Sequence, residues 1–234
     1  LYDVMSGALK VVSQSGAVLA GGHSSEGAEL AFGLTVNGFI APDQVLRKGG
    51  LRPGDALILT KPVGTGTLFA ADMRRRAKGR WVDAAIQTML LSSQAAAECL
   101  QDFGVSACTD VTGFGLLGHL VEMTRSAGVD AELCIDDIPI LAGAAETVAA
   151  GILSSLQPQN LRLRRAVRDL ERAAHHPRYP LLFDPQTAGG LLAGVPGARA
   201  EDCILALKAC GYPETALVGR VLERSDAAEP IVLI

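Results

Sequence analysis

The sequence predicts an α+β fold, a mixed sheet packed with helices, and three observations carry that prediction. Short apolar runs such as Ala56 to Thr60 and Ala216 to Leu222 have strand length and are bounded by Gly, Pro, Asp or Glu. Longer stretches such as Leu116 to Ala127 carry apolar residues at helical spacing and stop at a glycine, here Gly128. Strands and helices alternate without an internal repeat, and the chain closes on antiparallel-looking strands where a parallel sheet would need successive βαβ units.

The 234 residues suffice for one large domain or two small ones, and 49% hydrophobic content is ample for a buried core. A formal net charge of -4, with no Lys/Arg block outside one helix, gives no electrostatic reason to expect nucleic acid. No apolar run reaches the roughly 18 residues of a membrane helix, so no membrane partner is expected. The five cysteines, Cys99, Cys108, Cys134, Cys203 and Cys210, form no CxxC and no metal-ligand spacing. They are expected as reduced thiols in a cytoplasmic protein. The chain opens at Leu1 inside a helix-like segment, the start expected of a piece of something longer.

Taken in order, Leu1 to Ser15 has Val4, Ala8, Val11 and Val12 near helical spacing and predicts a buried helix. Ala17 to Ala20 predicts a brief strand running into Gly21, Gly22 and His23, a turn whose backbone can approach a ligand closely. Alternation from Phe32 to Ile40 predicts a second strand. Ala41 to Asp55, rich in Gly and Pro, is the expected domain boundary, dividing the chain into 1–41 and 42–234. Ala56 to Thr60 predicts a strand, followed by the glycine and hydroxyl turn Lys61 to Thr67 and a helix from about Leu68 to Arg76. No GxxxxGK[ST] occurs, which excludes a P-loop. Asp83 to Phe103 predicts one long helix.

Val105 to Thr112 predicts a strand with Asp110 near its end, Leu116 to Ala127 a helix, and Val129 to Asp136 another strand. The turn between them places backbone donors and a helix N-terminus beside a carboxylate, a pattern suited to phosphate with a divalent cation on Asp110. Asp136 and Asp137 end the last of these strands as paired carboxylates, which could bind a cation but are more often a solvated strand end before a proline turn. Beyond it come a short helix (Ala142 to Ala150), a polar loop bordering a site (Ser154 to Asn160), and a helix over Leu161 to Ala174. That helix carries Leu163, Val167 and Leu170 inward and Arg164, Arg165, Arg168 and Arg172 outward. His175 and His176 lack the spacing of a helical metal pair. The pattern then predicts a strand at Leu181 to Phe183, the glycine turn Asp184 to Gly190, a strand at Leu191 to Val195, a helix over Ala200 to Cys210, and strands at Ala216 to Leu222 and Ile231 to Ile234.

Gly113 to Gly118 also matches GxGxxG, with Asp136 about 20 residues on, as a dinucleotide site requires. Three features oppose an NAD-binding oxidoreductase. Asp110 would repel a pyrophosphate, only one such unit occurs, and the C-terminal strands look antiparallel. A cation between Asp110 and a phosphate turns that repulsion into attraction.

The stretches GGHSSEGAELAFGL (21–34), TKPVGTG (60–66), TDVTGFGLLGHL (109–120) and DPQTAGGLL (184–192) together resemble the selenophosphate synthetase (selenide, water dikinase) family of the aminoimidazole ribonucleotide synthetase superfamily, in that family's order and over nearly the whole chain. The resemblance implies a two-domain synthetase fold, its first domain only partly present as 1–41, and an ATP-dependent enzyme that converts selenide, ATP and water to selenophosphate, AMP and phosphate with Mg²⁺. It implies that Asp110 is a metal ligand, that Gly21, Gly22 and His23 contact ATP, and that the protein is a homodimer. Ala188 stands where the family commonly has serine, and the family's reactive cysteine or selenocysteine segment lies outside this chain, so no catalytic residue is assigned and the chain alone is expected to be inactive. The alternative from another class is a non-catalytic nucleotide-binding or maturation module on the same scaffold.

Overall fold

A computed structural model describes residues 1–234 as two units, Leu1–Ile40 and Ala41–Ile234. In the first, α1 (Tyr2–Gln14) forms as its spacing predicts, but none of its residues is buried. Neither expected strand forms between Ala17 and Ile40. The alternation is real, yet a strand needs a second strand to receive its backbone hydrogen bonds, and this unit contains none. Phe32, Leu34 and Val36 are accordingly exposed.

The second unit contains β1 (Asp55–Leu59), α2 (Thr65–Met73), α3 (Gly79–Leu90), α4 (Gln94–Asp102), β2 (Ala107–Asp110), α5 (Gly115–Ala127), β3 (Asp130–Leu133), α6 (Ala144–Ala149), α7 (Gln157–Asn160), α8 (Leu170–Ala174), β4 (Leu191–Pro196), α9 (Ala200–Ala209), β5 (Ala216–Leu222) and β6 (Ile231–Leu233). The six strands lie in the order β2-β4-β1-β5-β3-β6. Every neighbouring pair is antiparallel except β3 and β6. This is the mixed α+β arrangement that the sequence predicts.

Strand alternation sorts side chains into two cores. Leu57 and Leu59 of β1 join Leu192, Val218 and the α5 residues Leu116, Leu117 and Leu120 on one face. Ala56 and Ile58 join Ala193, Val195 and residues of α4 and α9 on the other. Because helices cover both faces, all five residues of β1 are buried, and the strand reads as a continuous apolar run. No helix is long and apolar enough to cross a membrane.

Three elements depart from the periodic reading. The helix expected over Asp83 to Phe103 is broken at Leu91, whose backbone is extended, and restarts after Ser93. The break is held from far away in sequence. The Tyr212 hydroxyl donates to Ser92 O at 2.6 Å and accepts from Ala96 N–H at 3.0 Å, and Lys61 Nζ donates to Leu91 O. The helix expected over Leu161 to Ala174 is instead a 3-10 helix, Leu161–Ala166, followed by α8, with Asp169 in the left-handed region at φ 47°. The turn forms because Arg168 points inward, where its guanidinium meets Asp130, and Arg224 Nη1 pairs with the same carboxylate at 2.7 Å. Leu181 to Phe183 lies within a 3-10 helix, Tyr179–Phe183, that packs on α5 instead of pairing in the sheet.

Candidate functional site

Three of the distinctive turns meet at one end of the sheet. Asp110 is the last residue of β2, an edge strand, and its side chain is exposed. It opens on a cavity of about 320 Å³ whose other walls are Leu46, Lys48, Ala97, Cys108, Thr109 and Leu191. The Cys108 N–H donates to Arg47 O at 2.8 Å, so the segment carrying Leu46 and Lys48 closes the otherwise open edge of β2.

Immediately after Asp110 the chain is bound to the turn from Asp184 to Gly190. The Val111 N–H donates to Gly190 O at 2.8 Å, and the Gln186 N–H donates to Thr112 O at 3.0 Å. Gln186 also reaches the turn after β1. Its Oε1 accepts from the Gly64 N–H at 2.9 Å, the Thr65 N–H at 3.2 Å and the Thr65 hydroxyl at 3.1 Å, which satisfies donors at the start of α2. Thr60 and Leu191 exchange bonds alongside, Thr60 N–H to Leu191 O at 3.0 Å and Leu191 N–H to Thr60 Oγ1 at 2.8 Å. Such close crossing leaves no room for side chains. A Cβ on Gly189 would stand 2.0 Å from Val111 O, and one on Gly190 2.6 Å from Lys61 N.

Two buried ionisable groups lie inside this junction. Lys61 is only 2% exposed, donates to Leu91 O and to Ala188 O at 3.3 Å, and has its pKa lowered by burial. Position 188 therefore contributes its carbonyl, in a left-handed backbone at φ 48°, and an alanine serves that purpose. Asp184 is fully buried. Its Oδ2 accepts from Gln186 Nε2 at 2.9 Å, while Oδ1 faces the first turn of α2, where a Cβ on Gly66 would come within 2.8 Å of it. Burial pushes Asp184 up to about 6, against the pull of hydrogen-bonding groups on Thr67, Gln186 and Gly66.

His119, the fifth residue of α5, is 4% exposed, and its side chain reaches back to the turn that precedes the helix. Its Nε2 lies 3.0 Å from the Thr112 N–H and 3.3 Å from Thr112 Oγ1. Nδ1 is buried without a hydrogen-bond partner, 3.7 Å from Glu122 Oε2, and Glu122 in turn pairs with Lys48 at 2.8 Å. Burial lowers the His119 pKa, Glu122 and Asp110 raise it, and Lys48 lowers it. The polar stretch Ser154 to Asn160 also serves this end of the molecule. Asn160 Nδ2 donates to Gly113 O at 2.8 Å and Phe183 O at 3.0 Å.

Two of the three GxGxxG glycines, Gly115 and Gly118, are closed to a pyrophosphate. Gly115, at φ 71°, packs against the backbone of Leu182 and Phe183, and a Cβ on Gly118 would strike Phe114 at 2.7 Å and Leu163 at 2.9 Å. The strands flanking α5 are moreover separated by β4, β1 and β5. Both facts remove the dinucleotide reading.

No group of three or more His, Cys, Asp or Glu side chains gathers as a protein-only metal cage. Asp110, exposed and in no salt bridge, fits the kind of Mg²⁺ site in which one or two carboxylates share the ion with water and substrate phosphates. The buried thiols Cys99, Cys108 and Cys203 are poor nucleophiles. Burial pushes Cys108 up to about 12, with a further contribution from Asp110, and Cys99 and Cys203 to about 11. Asp136 takes part in a surface contact, 3.3 Å from His176 Nε2. Gly21, Gly22 and His23 lie in the first unit, all exposed, and a Cβ on either glycine would meet nothing within 4 Å.

His119, Gln186 and Lys61 are the residues of this junction that periodicity and motif spacing miss as positioning groups. For His119 a signal exists in the sequence, since a histidine one turn inside the helix that follows a Thr-Gly turn can reach the turn's free N–H.

The family model for the AIR synthase related protein, C-terminal domain, matches residues 52–229. Among curated relatives, selenide, water dikinase 2 of Peptoclostridium acidaminophilum is 38% identical over 226 residues, covering 97% of this chain and 65% of the relative. The selenide, water dikinase of Geobacter metallireducens is 44% identical over 227 residues, covering 97% and 66%. The chain thus spans slightly less than two thirds of the length of these relatives. Among solved structures, thiamine-monophosphate kinase of Stenotrophomonas maltophilia K279a superposes with a TM-score of 0.56 at 16% identity, over 83% of this chain and 54% of that one. The hydrogenase maturation protein HypE in complex with ATP superposes with a TM-score of 0.53 at 16% identity, over 83% and 51%. At such identities the structural likeness is one of fold alone, whereas the family match extends over most of the second unit, so that the chain belongs to the family of AIR synthase related proteins, through their C-terminal domain.

Proposed function

We propose that this chain is the larger part of an ATP-dependent selenide, water dikinase, which forms selenophosphate, AMP and phosphate from selenide, ATP and water. The observation that carries the reading is 38 to 44% identity to such enzymes over 97% of the chain. The junction of the three turns supports it, because it places one free carboxylate, Asp110, at a cavity mouth.

Phosphoryl transfer depends on alignment and charge neutralisation more than on covalent help from the protein. Mg²⁺, when bound, supplies that neutralisation on the phosphates, and Asp110 is the residue here that would hold it. Gly21, Gly22 and His23 would give backbone and ring donors to ATP, in a homodimer whose first domains share the site. No residue of this chain is assigned to present selenide, and the chain alone is inactive in this reading. The test is ³¹P NMR of the full-length protein with ATP, Mg²⁺ and selenide. Selenide-dependent selenophosphate and AMP are expected, and Asp110→Asn should raise the Mg²⁺ requirement at least tenfold. ATP turnover to ADP, or turnover indifferent to selenide, would refute the assignment.

A further inference from the structure

We propose that His119 is a positioning residue for Asp110: a neutral ring that accepts the Thr112 N–H at Nε2 and so fixes the direction from which the Asp110 carboxylate meets its ligand. The inference rests on the reading of Asp110 as a cation ligand.

Three backbone bonds hold the chain after Asp110. Val111 N–H is held by Gly190 O, Thr112 O accepts from Gln186 N–H, and Gly115 N–H closes the turn on Thr112 O at 3.0 Å. The Thr112 N–H has no backbone acceptor, and the His119 ring accepts from it instead. An N–H donated to Nε2 requires a lone pair there, so the ring proton must sit on Nδ1. That proton faces Glu122 Oε2 at 3.7 Å, beyond hydrogen-bond reach, and Lys48 keeps the carboxylate in place. The Phe114 ring lies 5.7 Å from the imidazole, centroid to centroid, and covers it. Gly118 leaves the room for Phe114 to do so. The imidazole is therefore held in one tautomer, with Nε2 turned to Thr112, two residues past Asp110. Groups hydrogen-bonded directly to a metal ligand alter metal affinity by about 10–100-fold when removed, and His119, which acts through the backbone of Thr112, belongs at the lower end of that range.

The test compares His119→Leu, which cannot accept the N–H, with His119→Gln, whose Oε1 can. Both are made in the full-length protein beside Asp110→Asn. Mn²⁺ affinity is measured in the presence of a non-hydrolysable ATP analogue, with kcat and the Mg²⁺ concentration at half-maximal rate. His119→Leu should weaken Mn²⁺ binding by about tenfold or more and raise the Mg²⁺ requirement more than it lowers kcat, while His119→Gln stays within about threefold of the parent. In the unmodified protein, ¹⁵N NMR should show Nδ1 protonated and Nε2 not. A folded His119→Leu with parental Mn²⁺ affinity, beside a weakened Asp110→Asn, overturns the positioning role alone. Unchanged affinity in Asp110→Asn overturns the reading on which it rests. If His119→Leu does not fold, the ring tautomer and the glutamine variant decide, and a protonated Nε2 or a tenfold loss in His119→Gln refutes the proposal.

Discussion

Replacing Asp184 with Asn should stabilise the protein above neutral pH and flatten its response to pH between about 4 and about 7. The carboxyl is fully buried, and its pKa rises from the usual 3.8 to about 6. Because the folded state holds the proton more tightly than the unfolded one, this group's contribution is complete below 3.8 and is lost as pH rises to about 6. At about 1.4 kcal/mol per pH unit the loss comes to about 3 kcal/mol, constant above that range. An asparagine keeps the shape and the acceptor facing Gln186 Nε2 without the charge, so the variant should gain up to about 3 kcal/mol at pH 7.5 and nothing near pH 3.5. Urea unfolding of parent and variant at half-unit pH steps isolates this group, since every other titration cancels in the difference. A difference independent of pH, or one that favours the parent as pH rises, would refute the argument.

Asp130 behaves in the opposite sense. Burial would raise it, but hydrogen bonds from Ser225, Arg168 and Arg224 bring it to about 2, so its contribution is present above 3.8 and disappears as pH falls towards 2. Asp130→Ala should cost about 2 kcal/mol in urea unfolding at pH 7. That is less than a wholly buried pair would lose, because the Arg168 and Arg224 side chains are 25% and 46% exposed. Tyr212→Phe removes the hydroxyl that serves Ser92 O and Ala96 N–H and should cost about 1–3 kcal/mol, with faster hydrogen exchange at Ala96. Gly189→Ala places a Cβ 2.0 Å from Val111 O and should lower stability by about 1–3 kcal/mol or more, whereas Gly211→Ala, with nothing within 4 Å but φ 99°, should cost less.

Much of the second unit was legible because its signals are local. Gly128 ends α5 in the left-handed region, as a C-terminal glycine should, and the apolar runs of β1, β4 and β5 became strands at nearly their expected limits. Reading failed where a distant residue decides the backbone. Nothing near Leu91 announces that Lys61 and Tyr212 will bind its neighbourhood, so a helical period runs straight through the break. Arg168 looks like one more solvated arginine until Asp130, which lies 38 residues earlier, turns it inward. The site was partly legible for the same reason. Asp110 at a strand end before a glycine turn is a local pattern, but the acceptor that holds the Thr112 N–H is a helix side chain, and Gly115, Gly118, Gly189 and Gly190 admit other segments rather than a ligand. Phe32 to Ile40 carries a strand's alternation, and in its own unit the partner that would complete a ladder is lacking.

The strand order also dictates when the protein can assemble. β1 lies between β4 and β5, and β2 is bonded to β4, so the strands made first wait for partners made more than 80 residues later. Until residues beyond Leu191 emerge from the ribosome, β1 has no neighbour on either side, and its four core residues are left to chaperones or to other chains. Gly64 and Gln186 lie 122 residues apart, so the closing of that loop is an entropic cost met before any reward. Asp110 is consequently among the last features to be set in place, and a chain truncated before Gly190 would carry the whole TDVTGFGLLGHL sequence without the backbone partner that aims it.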